Sequence, residues 1–410
     1  MRILWFTNTP SCYNTNNSGY NGGGWISSLE KEIKKNNNIE LAICFHYPQK
    51  ADILKKDNIT YYPIKETTNL FYKIFGTFNY IANKCDKQDI NQYLNVISDF
   101  KPDIINIFGS EKNFGLISLH TNIPIVLHIQ GLLTPYSTAF YPPGFSFFNT
   151  LSRIFNPLEI YKKYRLRCKW KHNVKREQII LKNIKYFLGR TKWDKRITNI
   201  YAPQGTYFHC DEILRDIFYK FKNKYSTRDH LTITTTISTP YYKGFDTILR
   251  AAYILKYNLN LDFTWNVFGI KDISIYEKRT GICANKCNIK VNGIADAKTL
   301  CEIIATSSIF VHPSYIDNSP NSICEAQILG CPTIATNVGG IPSLIKHNET
   351  GLLIPANDPY QMAYLIKRVF LDKELAIKIS TNGQILAKER HNKDRIVNTL
   401  IDIYNKITQK

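Results

Sequence analysis

The sequence predicts an α/β protein of two halves, each a parallel sheet covered by helices on both faces. Three observations predict this. Short apolar runs alternate with amphipathic stretches along most of the chain, the rhythm of strand–helix–strand units. The rhythm breaks once, over 203–230, and then restarts. The chain has 410 residues, 44% hydrophobic and 21% charged. That is ordinary globular composition and enough length for two or three domains. A collagen, a coiled coil and a disordered tail protein are excluded.

In the first half, strands are expected at Ile3–Phe6, Leu41–Phe45, Ile104–Phe108, Ile125–Ile129 and Tyr186–Gly189. Each run ends in small or polar residues and passes into a helical pattern. Pro203-Gln204-Gly205 opens the break, and the charged stretch Lys220–His230 closes it, with a helix expected near Asp211–Phe221. In the second half, strands are expected at Leu231–Ile237, Phe263–Phe268, Ile289–Val291, Ile309–His312 and Thr333–Thr336. Helical patterns lie at 244–257, 297–306, 320–329 and 359–370. The expected organisation is a first domain over 1–205, a linker over 206–230 and a second domain over 231–391. An amphipathic helix over 392–410 is expected to pack back on the first domain. Open parallel sheets bind ligands beyond the carboxyl ends of their strands. Two such halves predict an interdomain cleft as the seat of the chemistry.

The 53 basic and 33 acidic residues give a net charge of +20. That implies anionic company: phosphorylated substrates, an anionic membrane face or nucleic acid. The ten cysteines fall partly in apolar surroundings, as in Ile43-Cys44-Phe45, and read as reduced, buried thiols. Cys283 and Cys287 lack a second pair or a neighbouring His, so no zinc site is expected. No stretch approaches the roughly 18 apolar residues of a membrane span. Met1–Phe6 is too short for the apolar core of a signal peptide and reads as a strand. The expectation is a cytoplasmic protein.

The most informative segment runs from Ile309 to Pro342. A buried strand ends at His312, and a polar loop follows: Pro313-Ser314-Tyr315-Ile316-Asp317-Asn318-Ser319. Ser319 is expected as the N-cap of a helix with Pro320 at its first position. Gly330-Cys331-Pro332 ends the helix, and Val338-Gly339-Gly340 follows the next strand. The helix start favours an anion such as a diphosphate. Asp317 and Glu325 can accept hydrogen bonds from sugar hydroxyls. The plainer reading of the same residues is a capped helix with one solvated Glu.

This segment resembles the C-terminal half of family 4 glycosyltransferases: retaining enzymes of GT-B fold that use nucleotide sugars. The residues that carry the resemblance are Asp317-x7-Glu325, Gly330-Cys331-Pro332 and Gly339-Gly340, over a match of roughly 230–390. The Asp-Asn-Ser-Pro-Asn-Ser form resembles a subgroup found among bacterial surface-polysaccharide enzymes. Asp317 is one methylene shorter than the family's usual Glu. The resemblance implies two Rossmann-like domains and assigns Glu325 to ribose hydroxyls and Asp317 to the transferred sugar. It places Asn318, Ser319 and Asn321 against sugar and phosphate. The family's Arg-x4-Lys-Gly signature is matched at Lys243-Gly244, with Ser238 in the Arg position. Lys243 is thereby assigned to the leaving diphosphate, and Arg190 is a candidate substitute for the missing cation. Gly269 and Ile294, in loops after strands, are assigned to the nucleotide.

Gly22-Gly23-Gly24 follows the first strand and opens a helix. It does not form a G-x-G-x-x-G fingerprint, and no phosphate-binding G-x-x-x-x-G-K-[ST] loop is present. By resemblance, Gly23 and Gly24 touch the donor. His128 sits near the end of a predicted strand. It reads either as a satisfied core histidine or, by resemblance, as a catalytic group close to the reacting sugar. Glu111, after the strand ending at Phe108, reads either as a loop carboxylate or as a contact for an acceptor hydroxyl.

Residues 134–176 combine aromatics such as Tyr136, Phe145, Tyr161 and Trp170 with a run of cations from Lys162 to Arg176. Three readings stand: a helical hairpin with solvated lysines, a surface for a membrane or lipid-linked acceptor, and a single-strand nucleic-acid surface. No nucleic-acid module surrounds it, so no nucleic-acid partner is expected.

The resemblance implies a retaining glycosyltransferase with Asp317, His128 and Lys243 as catalytic groups. It would move a sugar from a nucleoside diphosphate sugar to a hydroxyl of a glycan, lipid-linked or free. No metal or other cofactor is expected to be obligatory, since no D-x-D motif is present. The location implied is cytoplasmic, with a peripheral place at the inner membrane face open. The alternatives are a catalytically degenerate GT-B protein that binds sugar nucleotides, and a GT-B epimerase.

Overall fold

A computed structural model describes residues 1–13, 24–65, 67, 79–151, 156–221 and 225–409. The chain divides into two compact units. The first comprises 1–137, 153–213 and 392–410, and the second 138–152 and 214–391.

Among the described residues the first unit builds one sheet. Its strands are β1 (Arg2–Thr7), β2 (Glu40–Tyr47), β3 (Leu54–Lys56), β4 (Ile59–Lys65), β5 (Ile104–Phe108), β6 (Ile125–His128), β7 (Tyr186–Gly189) and β8 (Thr206–His209). Their order is β3-β4-β2-β1-β5-β6-β7-β8. Every pairing is parallel except β3 with β4. Ile3, Leu4, Trp5 and Phe6 are wholly buried, as expected of a central strand covered on both faces. The C-terminal helix Lys393–Thr408 belongs to this unit. Trp5 Nε1 donates to its Tyr404 hydroxyl at 3.2 Å, and its Arg395 pairs with Asp211 at 2.9 Å.

The second unit builds an all-parallel sheet from β9 (Leu231–Thr236), β10 (Phe263–Phe268), β11 (Ile289–Val291), β12 (Ile309–His312), β13 (Thr333–Thr336) and β14 (Leu352–Ile354). Their order is β11-β10-β9-β12-β13-β14. The chain steps outward one way from β9 to β11, then crosses back and steps outward the other way from β12. This is the doubly wound order, and its reversal lies between β9 and β12. The first unit repeats the device, with the reversal between β1 and β5.

Both units are therefore Rossmann-like. The stretch 206–230 holds strand β8 and a short helix, Asp216–Lys220. β4 carries Pro63, and it escapes a Pro penalty because its outer neighbour β3 pairs only with Ile59–Tyr61. At Pro63 the strand is an edge, where a missing N–H costs nothing.

Candidate active site

The reversal point of the second sheet lies between β9 and β12, and open parallel sheets bind their ligands at such points. Lys243 comes from the loop after β9 and Asp317 from the loop after β12. Their side chains meet, Lys243 Nζ to Asp317 Oδ2, at 2.6 Å. The backbone enforces the meeting. Gly244 has φ of +80°, and a Cβ there would lie 2.2 Å from the Pro313 carbonyl oxygen. The Tyr315 N–H donates to the Tyr242 carbonyl at 2.7 Å. The glycine after Lys243 is thus what lets the two loops touch.

Asp317 is buried and heavily bonded. His312 Nε2 lies 3.0 Å from Oδ2, and the Ser314 hydroxyl lies 2.9 Å from the same ring nitrogen. The backbone N–H of Asn318 donates to Oδ1 at 3.1 Å. Burial pushes the Asp317 carboxyl up, but the Lys243 ammonium and the His312 hydrogen bond outweigh it. The group is held well below the usual carboxylate range. Burial in turn lowers the His312 imidazole, against the opposing pull of Asp317. The Gly-Gly pair completes the cradle. A Cβ on Gly339 would lie 1.9 Å from the Asp317 carbonyl oxygen, and the Gly340 N–H donates to that same oxygen at 2.9 Å.

The helix after this loop spans Asn321–Ile328, one residue later than expected. Pro320 is its N-cap residue, with no side-chain cap bond. Ser319 therefore is not the cap, because the φ of −64° and ψ of 120° at Pro320 are extended rather than helical. Glu325 is buried on this helix and held by Arg215 through two bonds, Nε to Oε1 at 2.8 Å and Nη2 to Oε2 at 2.9 Å. Burial raises the Glu325 carboxyl and Arg215 offsets that only in part.

Asn318 and Ser319 are buried in the loop, and Asn321 begins the helix. Gly269 follows β10 with φ of +92°, and a Cβ there would lie 2.1 Å from the Ile237 carbonyl oxygen. Ile294 is exposed.

In the first unit, Gly23 lies outside the described residues, and Gly24 opens the helix Gly24–Ile33. His128 ends β6 and is 1% exposed, packed edge-on against Trp25. Burial, and then Arg190, push its imidazole down to about 3. It is neutral at working pH. Its Nε2 stands 3.9 Å from Glu212 Oε1, and neither ring nitrogen has a hydrogen-bond partner among the described residues. Arg190 is buried and paired with Glu212 at 3.1 Å. Glu111 follows β5 at this sheet's reversal point, with Asn8 Nδ2 at 3.5 Å from its Oε2. Burial pushes its carboxyl up to about 7, and Glu177 adds repulsion.

The structure thus brings Lys243, Asp317 and Asn318 together. It adds two residues that sequence reasoning missed. His312 carried a signal, as a polar residue ending an apolar strand beside the loop. Arg215 carried none, standing in the stretch between the two strand series where a helix was expected near Asp211–Phe221; the helix begins only at Asp216.

Residues 220–385 match the model of the family described as glycosyl transferases group 1. The second unit carries a group 1 glycosyl transferase domain. A D-inositol 3-phosphate glycosyltransferase of Streptomyces bingchenggensis is 30% identical over 105 residues, 26% of this chain and 23% of that protein. The amylovoran biosynthesis glycosyltransferase AmsK of Erwinia amylovora is 26% identical over 135 residues, 31% of this chain and 33% of that one. The chain thus spans 23% and 33% of these two relatives' length. Solved structures extend the likeness to the whole chain. Sucrose-phosphate synthase from Thermosynechococcus elongatus superposes with a TM-score of 0.71 at 15% identity, over 99% of this chain and 98% of that one. The Anabaena protein Alr3699/HepE, solved in complex with UDP-glucose, gives 0.67 at 13% identity over 99% and 100%. The fold around the group 1 domain is the GT-B fold.

Proposed function

We propose that this chain is a retaining family 4 glycosyltransferase acting in polysaccharide biosynthesis. It moves a sugar from a nucleoside diphosphate sugar to a hydroxyl of a glycan acceptor. The observation that carries the reading is the Lys243–Asp317 pair at the reversal point of the group 1 glycosyl transferase domain. Supporting it, a relative is named for amylovoran biosynthesis and a structural neighbour was solved with UDP-glucose.

Cleaving the donor builds negative charge on the leaving diphosphate. Lys243 supplies a fixed cation there, worth several kcal/mol when preorganised. Without donor, Asp317 holds that cation in place. With donor, the ammonium serves both the carboxylate and the phosphate, and Asp317 accepts from a sugar hydroxyl. Glu325 accepts from ribose hydroxyls, and Arg215 fixes its orientation. Gly23, Gly24, Gly269, Ile294, Asn318, Ser319 and Asn321 complete the donor contacts. His128, being neutral, positions the sugar by hydrogen bonding. Glu111 receives the acceptor hydroxyl. Retention then follows from same-face displacement, in which the leaving phosphate takes the acceptor proton. Catalysis is chiefly positioning and electrostatics.

The acceptor is proposed to be lipid-linked, presented at an anionic membrane face. The helix Pro157–Asn183 exposes Leu158, Tyr164 and Leu166 at 60%, 50% and 58% among cations such as Lys162, Arg165 and Lys171. Such a surface suits an interface with acidic headgroups. Among the described residues no helix is long and apolar enough to cross a membrane. Co-sedimentation with phosphatidylglycerol vesicles but not phosphatidylcholine vesicles is expected. Equal recovery with both removes the membrane arm.

A second reading, donor binding without transfer, draws on Ser238 at the family's Arg position. Thermal shift against a panel of nucleoside diphosphate sugars, followed by product analysis with the donor that binds, separates the two. A shift in wild type that Lys243→Ala loses, with glycoside formed, supports transfer. A shift without product supports the binder. No shift with any donor overturns both.

A further inference from the structure

The helix Pro359–Leu371 has two apolar faces. Met362, Leu365, Ile366 and Val369 enter the core of the second unit. On another face, Tyr360, Tyr364 and Leu371 stand 74%, 62% and 61% exposed. Tyr360, Tyr364, Lys367 and Leu371 follow one another at helical spacing, so they share one stripe. A core-packing helix needs only one apolar stripe, so packing does not explain this second one.

The stripe forms one wall of a cavity of about 680 Å³. That size falls within the roughly 300–1,000 Å³ of ligand sites. Ile254, Asn258 and Leu259 also line it. Ile254 and Asn258 bound a π-helical turn, and Leu259 closes it, its N–H donating to the Ile254 carbonyl at 3.0 Å. Such turns are rare and concentrate at functional sites. Lys367 and Arg368 bring two positive charges to the cavity, and no described side chain forms an ion pair with either. The acid at the cavity, Asp372, is engaged as a helix cap, its Oδ1 accepting from the Leu375 N–H at 2.9 Å. None of these residues belongs to the donor segment.

We propose that this cavity is a second binding site, for an anionic oligosaccharide. Pyranose rings lay their C–H faces on Tyr360 and Tyr364, beside the aliphatic side chains of Leu259 and Leu371. Carboxylate or phosphate groups on the sugar meet Lys367 and Arg368. Tyrosine suits this ligand, because its ring is apolar and its hydroxyl stays in water. An acyl chain would use the aliphatic side chains alone, and its single head group would offer one charge to the two cations. The inference rests on the glycosyltransferase reading and deepens it: the site would hold the charged polymer that the enzyme extends.

The probe is a short oligogalacturonate, titrated into the full chain by calorimetry. Maltohexaose is the neutral control and decanoate the acyl control. Saturable oligogalacturonate binding is expected. It should weaken about tenfold or more in Tyr360→Ala/Tyr364→Ala, the loss of roughly two stacked rings. It should weaken similarly in Lys367→Ala/Arg368→Ala, with the salt dependence of wild type lost. Both double variants should keep the wild-type thermal shift with nucleotide sugar, so the two sites are read separately. The proposal is overturned by no saturable oligogalacturonate binding, by equal binding in the variants, or by maltohexaose binding as tightly. Decanoate binding in place of the sugar overturns it as well.

Discussion

Arg215 grips Glu325 with two parallel bonds, 2.8 and 2.9 Å long, although 110 positions separate them in the chain. Its guanidinium also lies over the Phe218 ring, 4.8 Å from the centroid. A bidentate fork fixes the orientation of a carboxylate as well as its charge. Removing the arginine leaves a buried carboxylate uncompensated. Arg215→Ala should therefore cost about 2–3 kcal/mol at neutral pH, toward the low end for a buried pair because the arginine is partly exposed. Adding Glu325→Gln to that variant should recover part of the loss. Urea denaturation of the two single variants and the double gives the coupling. Additive losses would show that the pair stabilises nothing.

Lys243 should matter to the reaction more than to stability. Lys243→Ala is expected to lower turnover about 10²–10³-fold, the scale for losing one preorganised charge partner. Lys243→Arg should retain part of it. Steady-state kinetics with the donor found by thermal shift decides the point. A Lys243→Ala enzyme with wild-type kcat would sink the phosphate assignment.

The glycines of the second unit should separate by what a methyl group meets. Gly339→Ala drives a carbon to 1.9 Å from the Asp317 carbonyl oxygen at φ of +54°. A loss of about 3 kcal/mol or more is expected. Gly281 has nearly the same backbone, φ of +69°, but no atom within 4 Å of the built carbon. Gly281→Ala should cost only about 1 kcal/mol, the conformational strain alone. Similar melting points for the two variants would remove the steric argument for the Gly-Gly motif.

Two groups of the first unit, the buried His128 and the half-buried Glu111, should tilt its stability in opposite directions with pH. His128 falls from 6.5 to about 3 on folding, so the unfolded chain binds the extra proton between those values. Its contribution is present above 6.5 and is lost as pH falls. Glu111 rises from 4.5 to about 7, so the folded chain binds the extra proton. Its contribution is present below 4.5 and is lost as pH rises. Each slope is at most about 1.4 kcal/mol per pH unit. Relative to wild type, His128→Gln should therefore lose stability as pH rises from about 4.5 to 6.5, and Glu111→Gln should gain it. Denaturant midpoints across that window test the sign. Parallel pH curves for wild type and both variants would count against the shielding of these two groups from water.

Much of the fold was written in local pattern. Every strand expected from an apolar run exists, because a strand buried on both faces must be apolar throughout. β3, β4, β8 and β14 went unread for physical reasons. β3 is wholly exposed, so no apolar run marks it, and β14 is a three-residue run directly after a turn glycine. β4 contains a proline that argues against an interior strand. β8 is an edge strand with no fully buried residue. The shifted start of the helix at Asn321 is a backbone matter that a Ser-Pro signal cannot settle.

What the sequence determined by itself was the α/β class, the restart of the rhythm and the spacing Asp317-x7-Glu325. All of these are short-range: apolar periodicity, turn residues and a motif within one loop and helix. Only the tertiary structure decided which charges meet. The sequence offers 53 cations to its carboxylates, and nothing local selects Lys243 for Asp317, Arg215 for Glu325 or Glu212 for Arg190. Those pairings follow from the strand order β10-β9-β12 and β6-β7-β8, which brings distant loops to one end of a sheet. Burial then makes each meeting obligatory, since a charge removed from water must find its partner.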